Sequence, residues 1–136
     1  MATKHEKYME FLTAEGYSPQ KYGENDLTFK KEGRSYVVFS HEDTPNYFNM
    51  VLPIELKEMT DHDRPRLLEA VNSVNQNFKA IKVTLLGSWV AFGVEFFLPE
   101  PDGYKQLLEV SFAVIGAGFN LFVQTVDAQN KALAGK

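Results

Sequence analysis

The sequence predicts an α+β fold in which one antiparallel five-stranded sheet carries its helices on a single face. Three observations carry this: two stretches alternate apolar and polar residues with a period of two, three others repeat apolar residues at helical spacing, and the two kinds follow one another as α-β-β-β-α-β-β-α. The 136 residues suffice for one domain, spanning 1–136, and with 44% hydrophobic residues including 11 Phe and 6 Tyr they can form a substantial core, which excludes intrinsic disorder.

The first helix opens at Thr3, where Glu6 completes a capping-box pattern ahead of Tyr8, Met9, Phe11 and Leu12, and Gly16 ends it. The stretch from Tyr17 to Asp26 holds Pro19, Gly23 and Asn25 and reads as a loop with at most a short extended piece. Leu27 to Lys31, Arg34 to His41 and Tyr47 to Ile54 then form a three-strand meander, with Glu32-Gly33 as its first turn. Pro53 lacks a ladder donor, so the third strand is expected to end there or to lie at an edge. Thr60, Asp61 and Asp63 supply capping oxygens for a second helix with Pro65 in its first turn, and Leu67, Leu68, Val71, Val74 and Phe78 give its apolar spacing. Ala80 to Leu86 and Trp89 to Leu98 flank Gly87-Ser88 as a tight hairpin closed by Pro99, Pro101 and Gly103. Leu108, Phe112, Ile115, Phe119, Phe122 and Val126 mark one face of a last helix whose tail frays after Asp127.

Composition narrows the function classes. A net charge of −4 with scattered lysines and arginines offers no stripe to neutralise phosphates, so nucleic acid is not an expected partner. Cysteine is absent, which removes thiolate nucleophiles and sulfur-based zinc sites. The charged start of the chain is not a secretory signal, and the cytoplasm is the expected location. Val110 to Val126 is uncharged and nearly long enough to span a bilayer, but Ser111, Asn120, Gln124 and Thr125 would be left unpaired in hydrocarbon, so no membrane span is expected.

Strand alternation assigns Leu27, Phe29, Val37, Phe39, Phe48, Met50, Leu52, Val83, Phe92 and Val94 to the helix-covered face. The reverse face then shows Tyr36, Val38, Tyr47, Asn49, Val51 and Phe97 in a polar field that includes Lys30, Lys82 and Glu95. Amphipathic aromatics on a wettable surface suit a protein-binding patch, and these six are the candidate contact residues. Ordinary strand propensity is the competing reading.

No catalytic set emerges. His5, His41 and His62 do not converge by spacing, Asp61-His62-Asp63 is explained by helix capping, and Gly116-Ala117-Gly118 lacks the context of a dinucleotide fingerprint. No cofactor and no metal are expected. Glu95 lies among Phe92, Val94, Phe96 and Phe97, where desolvation would raise its pKa, while Lys82 on the preceding strand offers a cross-strand ion pair. Asn72 and Asn75 make a semi-polar stripe on the second helix. Together Asn72, Asn75, Lys79, Lys82 and Glu95 form a candidate polar site, with amides more often satisfying backbone at a sheet edge than binding ligand.

Gly16-Tyr17, the turn Lys31-Glu32-Gly33-Arg34, Leu68-Glu69-Ala70-Val71-Asn72-Ser73-Val74-Asn75, Lys79-Ala80-Ile81-Lys82-Val83 and Val94-Glu95 together resemble the bacterial YbjN-like family, from about Tyr8 to Phe97. Members are described as candidate sensory transduction regulators. The resemblance implies a fold similar to type III secretion chaperones, with a twisted antiparallel sheet, helices on one side and frequent dimerisation. It carries over no catalytic residue. The expected function is therefore a non-catalytic protein-binding or regulatory domain, acting as a homodimer through the mixed sheet face or the last helix. The alternatives are a small-ligand sensor or an enzyme with a cleft near Glu95, Lys82 and Asn75.

Overall fold

A computed structural model describes residues 2–56 and 63–135. Of the expected capping residues, Thr60 and Asp61 lie outside them, as does His62. The first helix, α1 (Lys4–Ala14), is capped by Thr3, whose hydroxyl accepts from the Glu6 N–H at 3.1 Å. Next come β1 (Gln20–Tyr22), β2 (Asp26–Lys31), β3 (Arg34–Phe39) and β4 (Tyr47–Glu55). Helix α2 (Arg64–Asn77), capped by Asp63 through the Arg66 N–H, leads to the hairpin β5 (Ile81–Leu86) and β6 (Trp89–Phe97). A 3₁₀ turn at Pro101–Gln106 precedes α3 (Leu108–Ala134).

The strands form one antiparallel sheet in the order β1-β2-β3-β4-β6-β5, so the sheet has six strands and not five. The additional strand is β1, three exposed residues paired to Tyr22–Asp26, Lys21–Leu27 and Gln20–Thr28. A wholly exposed strand has no burial alternation for a sequence to display.

The core is one cluster between the sheet and the helices. Tyr8 of α1 packs edge-on against Phe48 and Tyr104, Phe112 of α3 against Phe29 and Tyr36, and Phe122 against Phe92. Helix α3 comes so close that a Cβ on Gly118 would lie 2.3 Å from Ile81 Cδ1 and 3.2 Å from Val74 Cγ1, whereas one on Gly116 would meet nothing within 4 Å. Close packing therefore accounts for Gly118 and not for Gly116. The helix continues past Asp127 to Ala134, where fraying was expected, and Gln129 Nε2 donates to the Arg66 carbonyl of α2 at 2.9 Å.

One face assignment changes. The turn at Glu32-Gly33 has positive φ at both residues (52° and 80°), and its two-residue length sets Phe29 opposite Tyr36 and Leu27 opposite Val38. Tyr36 and Val38 therefore project into the core, where Tyr36 stacks on Phe29 at 5.6 Å, and Val37 and Phe39 take the open face. The expectation that Tyr36 and Val38 belong to an exposed patch is wrong. The run Tyr36-Val37-Val38-Phe39 is apolar throughout, so its composition cannot say which face is which.

Pro53 neither ends its strand nor lies on the outer edge: β4 is central and continues to Glu55. At the two ends of the β4–β6 ladder, Leu98 N–H donates to Asn46 and Leu56 N–H to Ser88, both at 2.8 Å, so even-numbered residues of β4 bond to β6 and odd-numbered ones face β3. Pro53 stands where the next donor to β3 is due, and the β3–β4 register stops one bonding position earlier, at Val37–Val51.

Candidate functional site

The face of the sheet opposite the helices holds the surface features that need explanation. Alternation along β3, β4, β5 and β6 sends Val37, Phe39, Val51, Pro53, Thr84, Ala91 and Gly93 to it, and these line a shallow hollow of about 270 Å³. A Cβ on Gly93 would come within 3.2 Å of Val51 Cγ2, so the glycine leaves room on the floor. Large apolar side chains are exposed on this face: Leu86 (57%) and Tyr22 (52%) line the hollow, and Phe97 (86%) and Trp89 (41%) stand near the two ends of β6.

A polar and aromatic cluster lies at the end of this face towards His41. The β4–β6 register places Tyr47 opposite Phe97 and Asn49 opposite Glu95. The Tyr47 hydroxyl donates to Glu95 Oε2, and Lys82 Nζ lies 3.1 Å from Glu95 Oε1, so both carboxylate oxygens are engaged. The hydrogen bond from Tyr47 holds the Glu95 carboxyl below its usual range against the effect of burial, with Lys82 and His41 adding to the lowering. Desolvation was expected to raise this group; instead its partners dominate. Burial and the bond to Glu95 push the Tyr47 phenol upward, keeping it neutral. His41, at the end of β3 with φ +46°, brings Nε2 within 3.1 Å of Asn49 Nδ2 and sets its ring 5.0 Å from Tyr47, which in turn lies 5.2 Å from Phe97.

Four of the six expected contact residues thus share this face, Tyr47, Asn49, Val51 and Phe97, while Tyr36 and Val38 do not. Sequence reading missed Val37, Phe39, Trp89, Leu86 and His41. The two-residue turn at Glu32-Gly33 was a usable signal for the first two, since residues equidistant from such a turn must oppose one another. His41 carried no signal, because its position depends on a left-handed backbone after the strand.

The expected polar site does not converge. Lys82 and Glu95 pair on the open face. Asn75 lies on α2 beside the outer edge of β5, where its amide accepts from the Val83 N–H at 2.9 Å and donates to the Val83 carbonyl at 3.0 Å. Asn72 and Lys79 are exposed outside both arrangements. Among the described residues no group of three metal-ligating side chains forms. The open face thus offers an apolar floor, exposed aromatic side chains and the Lys82–Glu95 ion pair.

No family model matches the chain, and no curated protein matches it either. Two solved structures do. One is an uncharacterized protein from Methanothermobacter thermautotrophicus, 9% identical, with a TM-score of 0.64 over 93% of this chain and 98% of that one. The other is YbjN from E. coli, named as a candidate transcription regulator, 9% identical, with a TM-score of 0.59 over 93% of this chain and 91% of that one. At such identity the likeness is one of fold. The resemblance read from the residues therefore holds at the level of architecture: this chain shares its α+β fold with YbjN.

Proposed function

We propose that this protein is a non-catalytic binding module that takes a polypeptide partner on the open face of its sheet and acts as a homodimer, in the manner of a chaperone-like regulator in the cytoplasm. The observation that carries the reading is the set of large exposed side chains, Phe97, Leu86, Tyr22 and Trp89, on the same face as an apolar floor that Leu86 and Tyr22 line. Scattered exposed apolar residues are ordinary on any surface; a group of them on one face beside a hollow is not. Burying three such anchors contributes about 1.5–3 kcal/mol each, enough to offset part of the cost of association. The Lys82–Glu95 pair provides both signs of charge, which suits a face that meets a copy of itself.

Light scattering across a concentration series tests the homodimer. The wild type is expected at twice its 15.4 kDa, and the double variant Phe97→Ser/Leu86→Ser at 15.4 kDa with unchanged circular dichroism. A wild type that stays at 15.4 kDa at the highest concentration sinks the dimer. Selection from a random peptide library tests the polypeptide partner: binders are expected whose capture the same double variant abolishes, and a library yielding none rejects it.

A further inference from the structure

A second feature lies away from the aromatic cluster, where the sheet parts between β3 and β4. The β3–β4 register ends at Val37–Val51, so Arg34 and Ser35 make no ladder pair with Pro53 and the residues after it, and Phe119, Val123 and Val126 of α3 line the same region. The described residues line an open cleft of about 790 Å³ there. Small-molecule sites typically hold roughly 300–1,000 Å³ and combine apolar walls with a few placed polar groups. The walls here are Leu52, Pro53, Phe119, Val123 and Val126, with Trp89 at the rim.

The polar groups favour one ligand chemistry. The Arg34 guanidinium lies 4.1 Å above the Phe119 ring centroid, and among the described residues no carboxylate is within ion-pair distance of it. The cation–π contact with Phe119 leaves the guanidinium N–H groups available to receive a carboxylate. The alternation that aims Val37 and Phe39 at β4 also aims the Ser35 N–H into the gap, opposite a proline with no donor of its own. Glu32, the acid nearest in sequence, is held by Lys31 at 3.6 Å. Asp127 on α3 and Glu55 on β4 line the same cleft, and with Glu32 they disfavour any second negative charge on the ligand.

We infer that this cleft binds a small apolar monocarboxylate, its head on Arg34 and the Ser35 N–H and its body beneath α3 against Phe119, Val123 and Val126.

Trp89 is the one tryptophan in the chain and borders both the cleft and the open face, so its emission responds to occupation of either. Decanoate and decyltrimethylammonium, each below its micellar concentration and at fixed ionic strength, are the probes. A saturable emission change with decanoate alone is expected, weakened about tenfold or more in Arg34→Gln. Val123→Phe, which fills the cleft, is expected to abolish it and decides the matter if Arg34→Gln does not fold. No saturable response to decanoate, an equal response to the cation, or an affinity unchanged in the folded variant overturns the assignment. Because Trp89 also stands on the open face, the double variant Phe97→Ser/Leu86→Ser is measured beside the wild type: an unchanged decanoate response is expected for binding in the cleft, and a lost response in the folded variant overturns the assignment.

Discussion

Two tyrosines that look alike in the sequence have opposite roles. Tyr36 is buried between Phe29 and Phe112, so Tyr36→Ala is expected to cost about 3–5 kcal/mol, as for other large aromatic truncations, measured by urea unfolding. Tyr47 is partly exposed and works through its hydroxyl. Tyr47→Phe should leave the fold intact and let the Glu95 pKa return towards its ordinary value, observable by NMR titration of the carboxyl carbon. The sign of the accompanying stability effect follows from linkage. The Glu95 pKa is lower in the folded state, so the stabilisation is fully present above the unfolded value and is lost as pH falls through the depressed folded value. The stability difference between wild type and Tyr47→Phe is therefore expected at neutral pH and should shrink as pH falls below 4.5; a difference that grows in acid would contradict it. The Lys82 side chain is 69% exposed, so its share of this effect is small and should be screened by salt.

At the scale of elements, α3 sets two glycines in different environments. Gly116→Ala meets nothing and is expected to stabilise by about 0.5–1 kcal/mol through helix propensity. Gly118→Ala runs into Ile81 and Val74, and overpacking of about 1–3 kcal/mol outweighs the same gain. Thermal midpoints of the two variants should move in opposite directions. The elements themselves were legible because turn chemistry and period agreed: Glu32-Gly33 and Gly87-Ser88 fall at the tips of β2–β3 and β5–β6 as the dipeptides require. Capping by Thr3 and Asp63 was legible for the same local reason. Illegible were features set by tertiary context: an exposed strand stabilised only by its neighbour, and a proline kept within a central strand because the ladder on its other side suffices.

For the molecule as a whole, strand order ranks stability. β4 and β6 pair over nine residues at the centre of the sheet, while β1 contributes three exposed residues at its rim. Hydrogen exchange should be slowest for amides of the β4–β6 ladder and fastest at Gln20–Tyr22; equal protection across the sheet would show that it opens only as a unit. The candidate site was half legible at this scale. Tyr47, Asn49, Val51 and Phe97 follow from alternation alone, whereas their grouping with Val37, Phe39 and His41 depends on one register and one left-handed residue.

The amide of Asn75 has a further consequence. By occupying both polar backbone groups of Val83, it performs the part a neighbouring strand would play, so the sheet cannot readily recruit another chain along that side. The opposite rim is only three residues long. With lateral growth discouraged at both margins, neither rim readily serves as a template for another chain's strand.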